Sequence, residues 1–159
     1  MFRYALCLLI ISLEGCHSIK TKLGISTQVS DKSELANLTG VWYATSTTYN
    51  MIKNKKYVVD TIHLTLYLNA TFKATHFPDC IVPLSGEPVN HVSADGSGTW
   101  EIHKEGEFWK LRLDFTTGPV FIEKTFCDFD ISSNESTLIL SEFIGDPDSV
   151  DILEFHKSK

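Results

Sequence analysis

The run from Phe108 to Phe115 alternates without a break: Trp109, Leu111, Leu113 and Phe115 fall on one side, Lys110, Arg112 and Asp114 on the other. Successive side chains of a strand point to opposite faces, so a period of two predicts a strand with one buried and one wet face. The pattern recurs along the chain. Ile62, Leu64, Leu66 and Leu68 alternate with Thr61, His63, Thr65 and Tyr67, and Asn69-Ala70 turns the chain into Thr71 to Phe77. Lys104-Glu105-Gly106-Glu107 joins Gly98 to His103 with the 108–115 run as a compact hairpin. Val120 to Ile131, Thr137 to Ile144 and Val150 to His156 follow, separated by Ser132-Ser133-Asn134-Glu135 and by Gly145-Asp146-Pro147-Asp148-Ser149. A first strand beginning near Trp42 and continuing through Thr45 to Tyr49, with Asn50 to Lys56 as a Lys-rich turn, completes about eight strands in roughly 120 residues. No stretch reads as a helix of useful length. Neighbouring strands joined mostly by short turns form an antiparallel meander, which hides its edges by closing into a barrel or by folding into a sandwich. The expected class is all-β.

Charge and motif content narrow the function. The chain carries a net charge of −6 and only two arginines, Arg3 and Arg112. No basic groove can be assembled for phosphates, so no nucleic-acid partner is expected. His63, His76, His91, His103 and His156 show no ligand spacing such as His-x-His, and Asp146-Pro147-Asp148-Ser149 has the composition of a tight turn rather than of a calcium loop. No serine lies in a Gly-x-Ser-x-Gly context, and no Gly-rich phosphate loop or Cys-x-x-Cys pair occurs. Neither a metal, a cofactor nor a catalytic residue is expected, and the chain is read as a non-enzyme.

The stretch Glu34-Leu35-Ala36-Asn37-Leu38-Thr39-Gly40-Val41-Trp42-Tyr43-Ala44-Thr45 resembles the opening signature of the lipocalins, in which a polar lead-in and an apolar residue precede Gly-x-Trp and an aromatic. The resemblance implies a single antiparallel up-and-down β-barrel of about eight strands over residues 38–159. Gly40 would turn the chain into the first strand, and Trp42 would plug the narrow end. Family members often pack a late arginine on this tryptophan; Lys157 or Lys159 stands in that part of the chain here. The resemblance also implies a small hydrophobic ligand, with Leu64, Leu66, Phe72, Trp100, Trp109, Leu111 and Leu113 as the wall of its pocket. An apolar wall of this kind suits a fatty acyl or similarly greasy molecule. The alternative is an interaction module, an envelope-anchored inhibitor or assembly factor whose barrel is packed solid. Large aromatics on every inward face favour that second reading, and a real cavity favours the first.

Residues 1–16 read as an export signal: Arg3 gives a positive start, and Ala5 to Leu13 form an apolar run too short to cross a bilayer. Leu13-Glu14-Gly15-Cys16 resembles a bacterial lipobox, with Glu14 where the pattern has a small residue. That resemblance implies lipid attachment at Cys16 and a place in the cell envelope, on the outer membrane of a Gram-negative cell; ordinary secretion is the alternative. Three Asn-x-Ser/Thr sequons, at Asn37, Asn69 and Asn134, would matter on a eukaryotic route, although with Ser and Thr so abundant sequons are expected by chance. From His17 to Asn37 the chain is polar and without period, and it reads as a flexible tether. With Cys7 removed in the signal and Cys16 lipidated, Cys80 and Cys127 are left in an oxidising compartment, where a disulfide between them is expected. Phe77 to Gly96 breaks the strand rhythm with three of the five prolines. Such a loop serves either as a lid over the barrel mouth or as a plain connector.

Overall fold

The structure is a computed structural model, and it describes residues 26–57, 61–78, 93–118, 126–134, 137–144 and 151–157. Nine strands occur among these: β1 Thr27–Gln28, β2 Gly40–Ala44, β3 His63–Leu66, β4 Thr71–Pro78, β5 Ser93–Glu105, β6 Phe108–Thr117, β7 Phe126–Asn134, β8 Thr137–Phe143 and β9 Ile152–Lys157. A 3-10 helix, Lys32–Asn37, precedes β2, and an α-helix, α1, spans Ser46–Asn54. Every pairing is antiparallel. Strands β2 to β9 pair in chain order, and β2 pairs with β9 to close an eight-stranded up-and-down barrel. The all-β class expected from the alternation is therefore present, as the closed up-and-down barrel that the resemblance implied, and closure pairs its first and last strands.

The register puts the expected apolar stripes inside. Leu111 lies opposite Phe129 and Leu113 opposite Cys127 across β6 and β7, while Leu64 lies opposite both Trp42 and Ala74. Most strands bury an apolar set and leave the alternate residues half-buried or exposed, as a sheet with one solvated face does, whereas β8 buries Leu138, Ile139 and Leu140 in succession.

The lead-in departs from expectation. Residues 27–37, expected as part of a tether over 17–37, are instead ordered against the barrel. β6 and β7 pair only as far as Lys110 and Asp130, and β1 enters the gap beyond, pairing with Ser132 and Ser133. Val29 N–H donates to Ile131 O at 2.8 Å, and Trp109 N–H donates to Val29 O at 3.0 Å. The segment holds because Val29, Leu35 and Leu38 are buried, three apolar residues too widely spaced to show a period in the sequence. Asp31 caps the 3-10 helix by accepting from Ser33 N–H at 2.9 Å.

A second departure follows β2. Thr45 to Tyr49 do not continue the strand, and Asn50 to Lys56 are not simply a turn. Thr45 is an extended N-cap whose hydroxyl accepts from Thr48 N–H, and α1 follows. Its buried residues, Thr48, Met51 and Ile52, lie at helical spacing on one face. Lys56, at φ 64°, ends it, and Tyr57 N–H returns to Ile52 O at 3.1 Å.

The placement of α1 has a ladder-level cause. β2 stops at Ala44, but its neighbours β3 and β9 have backbone groups beyond that point. Glu154 donates to the Thr48 hydroxyl at 2.7 Å and its carbonyl accepts from the same hydroxyl at 2.9 Å. On the other side Ile62 N–H donates to the Tyr49 hydroxyl at 2.8 Å. Two helix side chains thus satisfy what a longer β2 would have paired.

Smaller corrections concern ends. β3 stops at Leu66, so Leu68 sits 91% exposed in the turn rather than on the inward face. Phe77 and Pro78 belong to β4, and residues 93–96 to β5. Residues 79–92 of the expected lid lie outside the described residues.

Candidate functional site

Five of the seven expected wall residues, Leu64, Leu66, Phe72, Leu111 and Leu113, are inside the barrel and at most 1% exposed. They belong to one cluster of buried side chains among the described residues. The cluster also contains Phe77, a residue that simple alternation would aim outward. Phe72 and Ala74 face inward, which by parity gives the next inward place to His76. Between Ala74 and Phe77 the β4–β5 register shifts, with His76 at φ 50°. The bulge is held by Asp95, which accepts from His76 N–H at 3.0 Å, and by His76 Nδ1, which donates to Thr61 O at 2.9 Å. An extra residue re-aims everything after it, and Phe77 turns into the barrel with no exposure at all.

There it reaches rings from far around the wall. Phe77 stacks on Phe155 of β9, centroids 5.7 Å apart and planes 9° apart, and meets Phe129 of β7 at 6.4 Å and Phe115 of β6 at 5.7 Å. Phe72 meets Phe115 edge-on at 4.8 Å, and Phe129 meets Phe155 at 5.9 Å. β4 is separated from β7 and from β9 by two intervening strands in the ring, so these contacts cross the interior. Each offset or edge-on pair adds about 0.5–1.5 kcal/mol beyond area burial. Gly96 and Gly98 make room, since a Cβ on Gly96 would come within 2.8 Å of the Phe115 ring.

The floor explains the tryptophans. Trp42 is fully buried and its Nε1–H donates to Leu38 O at 2.9 Å. Trp100 and Trp109, expected on the ligand wall, are only partly buried. Their Nε1–H groups donate to Tyr67 O at 3.0 Å and Ser30 O at 3.1 Å. Both tie the barrel wall to floor segments. Gly40, at φ 126°, gives the chain its entry, and a Cβ there would stand 3.0 Å from Lys157 Cε. Lys157 is the register partner of Trp42, and its Nζ donates to Asn37 O. It occupies the place the resemblance gives to a late cation, and burial holds its ammonium below the usual lysine range.

Cys127 is a free, buried thiol, so the expected bridge to Cys80 is not formed in this structure; Cys80 itself lies outside the described residues. Burial pushes this thiol well above its ordinary pKa, and Glu142, Asp128 and Asp114 add to the effect. A thiol so protonated is a poor nucleophile. Cys16 also lies outside the described residues, as do the rest of 1–25.

The outer wall divides in two. Across β5–β7, Arg112 grips Asp128 with two bonds of 2.8 Å, and Lys110 bridges Glu105 at 2.7 Å and Asp130 at 3.3 Å. Across β4–β6 a shallow open groove of about 680 Å³ is lined mostly by apolar surface, with Tyr67 and Phe72 beside Thr71, Ser97, Thr99 and Thr117, and with Lys73 and Asp95 as its charged groups. Its curvature follows from the glycines and from a second register shift, between Ser97 and Gly98. Among the described residues no group of His, Cys, Asp or Glu is placed to hold a metal ion, and no helix is long and apolar enough to cross a membrane.

Sequence reasoning missed Phe77 as an inward-facing residue and α1 altogether. The signal for the first was available: Phe72 and Phe77 are apolar at odd spacing within one strand, which requires a parity break. Comparison with protein-family models, with curated proteins and with solved structures gives no match to this chain.

Proposed function

We propose that the chain is an exported, non-enzymatic interaction module that works through its outer surface, with the barrel serving as a packed scaffold. A closed barrel of this kind is compatible with a binding protein in general, and the choice between enclosing a ligand and presenting a surface rests on one observation. Phe77 stacks across the interior on Phe155 while touching Phe129 and Phe115, which leaves the axis at that level to protein atoms. Packing density inside proteins leaves few voids larger than a water molecule, and a greasy ligand would have to displace this ring cluster. The shallow groove on β4–β6, mostly apolar with Lys73 and Asp95 in its lining, is a surface that a partner protein would cover. On this reading residues 1–16 carry the chain out of the cytosol.

The test is a panel of fatty acids, sterols and hydrophobic dyes added to the folded protein, read by tryptophan emission and melting temperature. A packed barrel leaves both unchanged. A blue shift with a raised melting temperature for any panel member would restore the enclosed hydrophobic ligand that the lipocalin resemblance implies.

A further inference from the structure

The chain contains six asparagines; Asn90 lies outside the described residues, and the fold sorts the other five by end. Asn37 closes the 3-10 helix just before β2, Asn69 sits in the β3–β4 turn, and Asn134 ends β7; all three lie at the floor, where Trp42, Trp100 and Trp109 are tied down. Each of these opens an Asn-x-Ser/Thr sequon, as Asn37-Leu38-Thr39, Asn69-Ala70-Thr71 and Asn134-Glu135-Ser136. Asn50 and Asn54 belong to α1 at the opposite end, and neither is in a sequon. Abundant Ser and Thr would create sequons at either end without preference.

We infer that the floor of the barrel is a site of N-linked glycosylation, carried by Asn37 and Asn69, and that the protein follows a eukaryotic secretory route rather than the lipid-anchored one. This rests on the proposed export. Both asparagines are exposed, and neither side-chain nitrogen has a hydrogen-bond partner among the described residues. At Asn69 the carboxamide oxygen is occupied instead: it accepts from Thr71 Oγ1–H at 2.7 Å and Thr71 N–H at 3.3 Å. With the oxygen turned inward on its own turn, the nitrogen projects to solvent, where a bulky glycan is accommodated without moving the fold. The donor is an oligosaccharide on a polyisoprenyl diphosphate. Its anomeric carbon bonds to Asn Nδ2 as the bond to the diphosphate oxygen breaks, the lipid diphosphate departs, and the amide loses one proton. Glycans on the floor would keep partners off that end and leave the outer walls and the α1 end accessible.

Peptide mapping of the protein from its native cells, before and after treatment with a peptide N-glycosidase, decides it. Glycosylated Asn37 and Asn69 are converted to Asp by the enzyme, with loss of the glycan mass. Secreted from cultured animal cells, N37Q and N69Q should each remove one step of the glycosidase-sensitive mobility shift, and the double variant both. Unmodified Asn at both positions in native protein, or a diacylglyceryl mass on Cys16, would overturn the inference. Neither result touches the ligand panel, which reads the barrel interior and can be run on deglycosylated protein.

Discussion

At one end of the barrel three indoles donate to backbone carbonyls of the segments that close it, and the chain before β2 is stitched into the wall through Val29 and Ile131. At the other end a nine-residue helix docks through two hydroxyls, Thr48 and Tyr49, and the apolar side chains of Met51 and Ile52. The floor combines large buried area with rigid donors that have little rotamer freedom to lose. The helix depends on short β-branched and polar residues of modest helix propensity, so tertiary contacts hold most of it in place. The floor should therefore carry global stability, and the α1 end should open locally at lower cost.

The largest expected effect is at Trp42. Replacing it with alanine removes a fully buried ring and strands the Leu38 carbonyl, for a loss of about 3–5 kcal/mol in urea unfolding. Trp42→Phe keeps most of the ring but not the donor, and should cost substantially less. A Trp42→Ala loss no larger than that of a helix-end variant would break the proposed ranking of the two ends.

Next comes Thr48→Val, which keeps the shape and deletes the hydroxyl. Glu154 O still accepts from Thr45 N–H at 3.0 Å, but Glu154 N–H is left without its partner, at a cost of about 2 kcal/mol. Hydrogen exchange sharpens the comparison. The amides of Glu154 and Ile62 should exchange faster while those of β6 and β7 keep their protection, and Thr48→Ser should restore the pattern. Uniform loss of protection would mean that the helix belongs to the same cooperative unit as the floor.

These two residues also mark what could be read in the sequence. Trp42 stands in a run whose chemistry, a glycine at positive φ followed by one large ring, is local and visible. The β6 alternation was equally legible, because every second residue from Trp109 to Phe115 is apolar. The helix was not. Thr45 to Tyr49 has the composition of a strand, and what makes it helical lies 106 positions away from Thr48, where Glu154 presents an N–H and a carbonyl to the Thr48 hydroxyl. Phe77 was hidden for a related reason: its aim depends on a bulge fixed by Asp95 and Thr61, one on the neighbouring strand and the other just before β3. Alternation within a strand is written in that strand, whereas capping groups and bulge anchors are written elsewhere in the chain.

The smallest effect tests whether charge contributes to the α1 end at all. Lys55, at the C-cap of α1, meets Asp151 at 2.9 Å, with side chains 22% and 32% exposed. A cation there also faces the negative end of the helix dipole. Partly exposed pairs of this kind contribute about 0.5 kcal/mol, so Lys55→Met should lower stability by about that much at low ionic strength. At 1 M salt the Debye length falls to about 3 Å and the contribution of the pair should largely disappear. Urea rather than guanidinium must be the denaturant, because an ionic denaturant would itself screen the pair. A loss that persists undiminished in high salt would assign the role of Lys55 to its methylene stem packed against the barrel, and the helix end would then be held by hydroxyls and apolar contact alone.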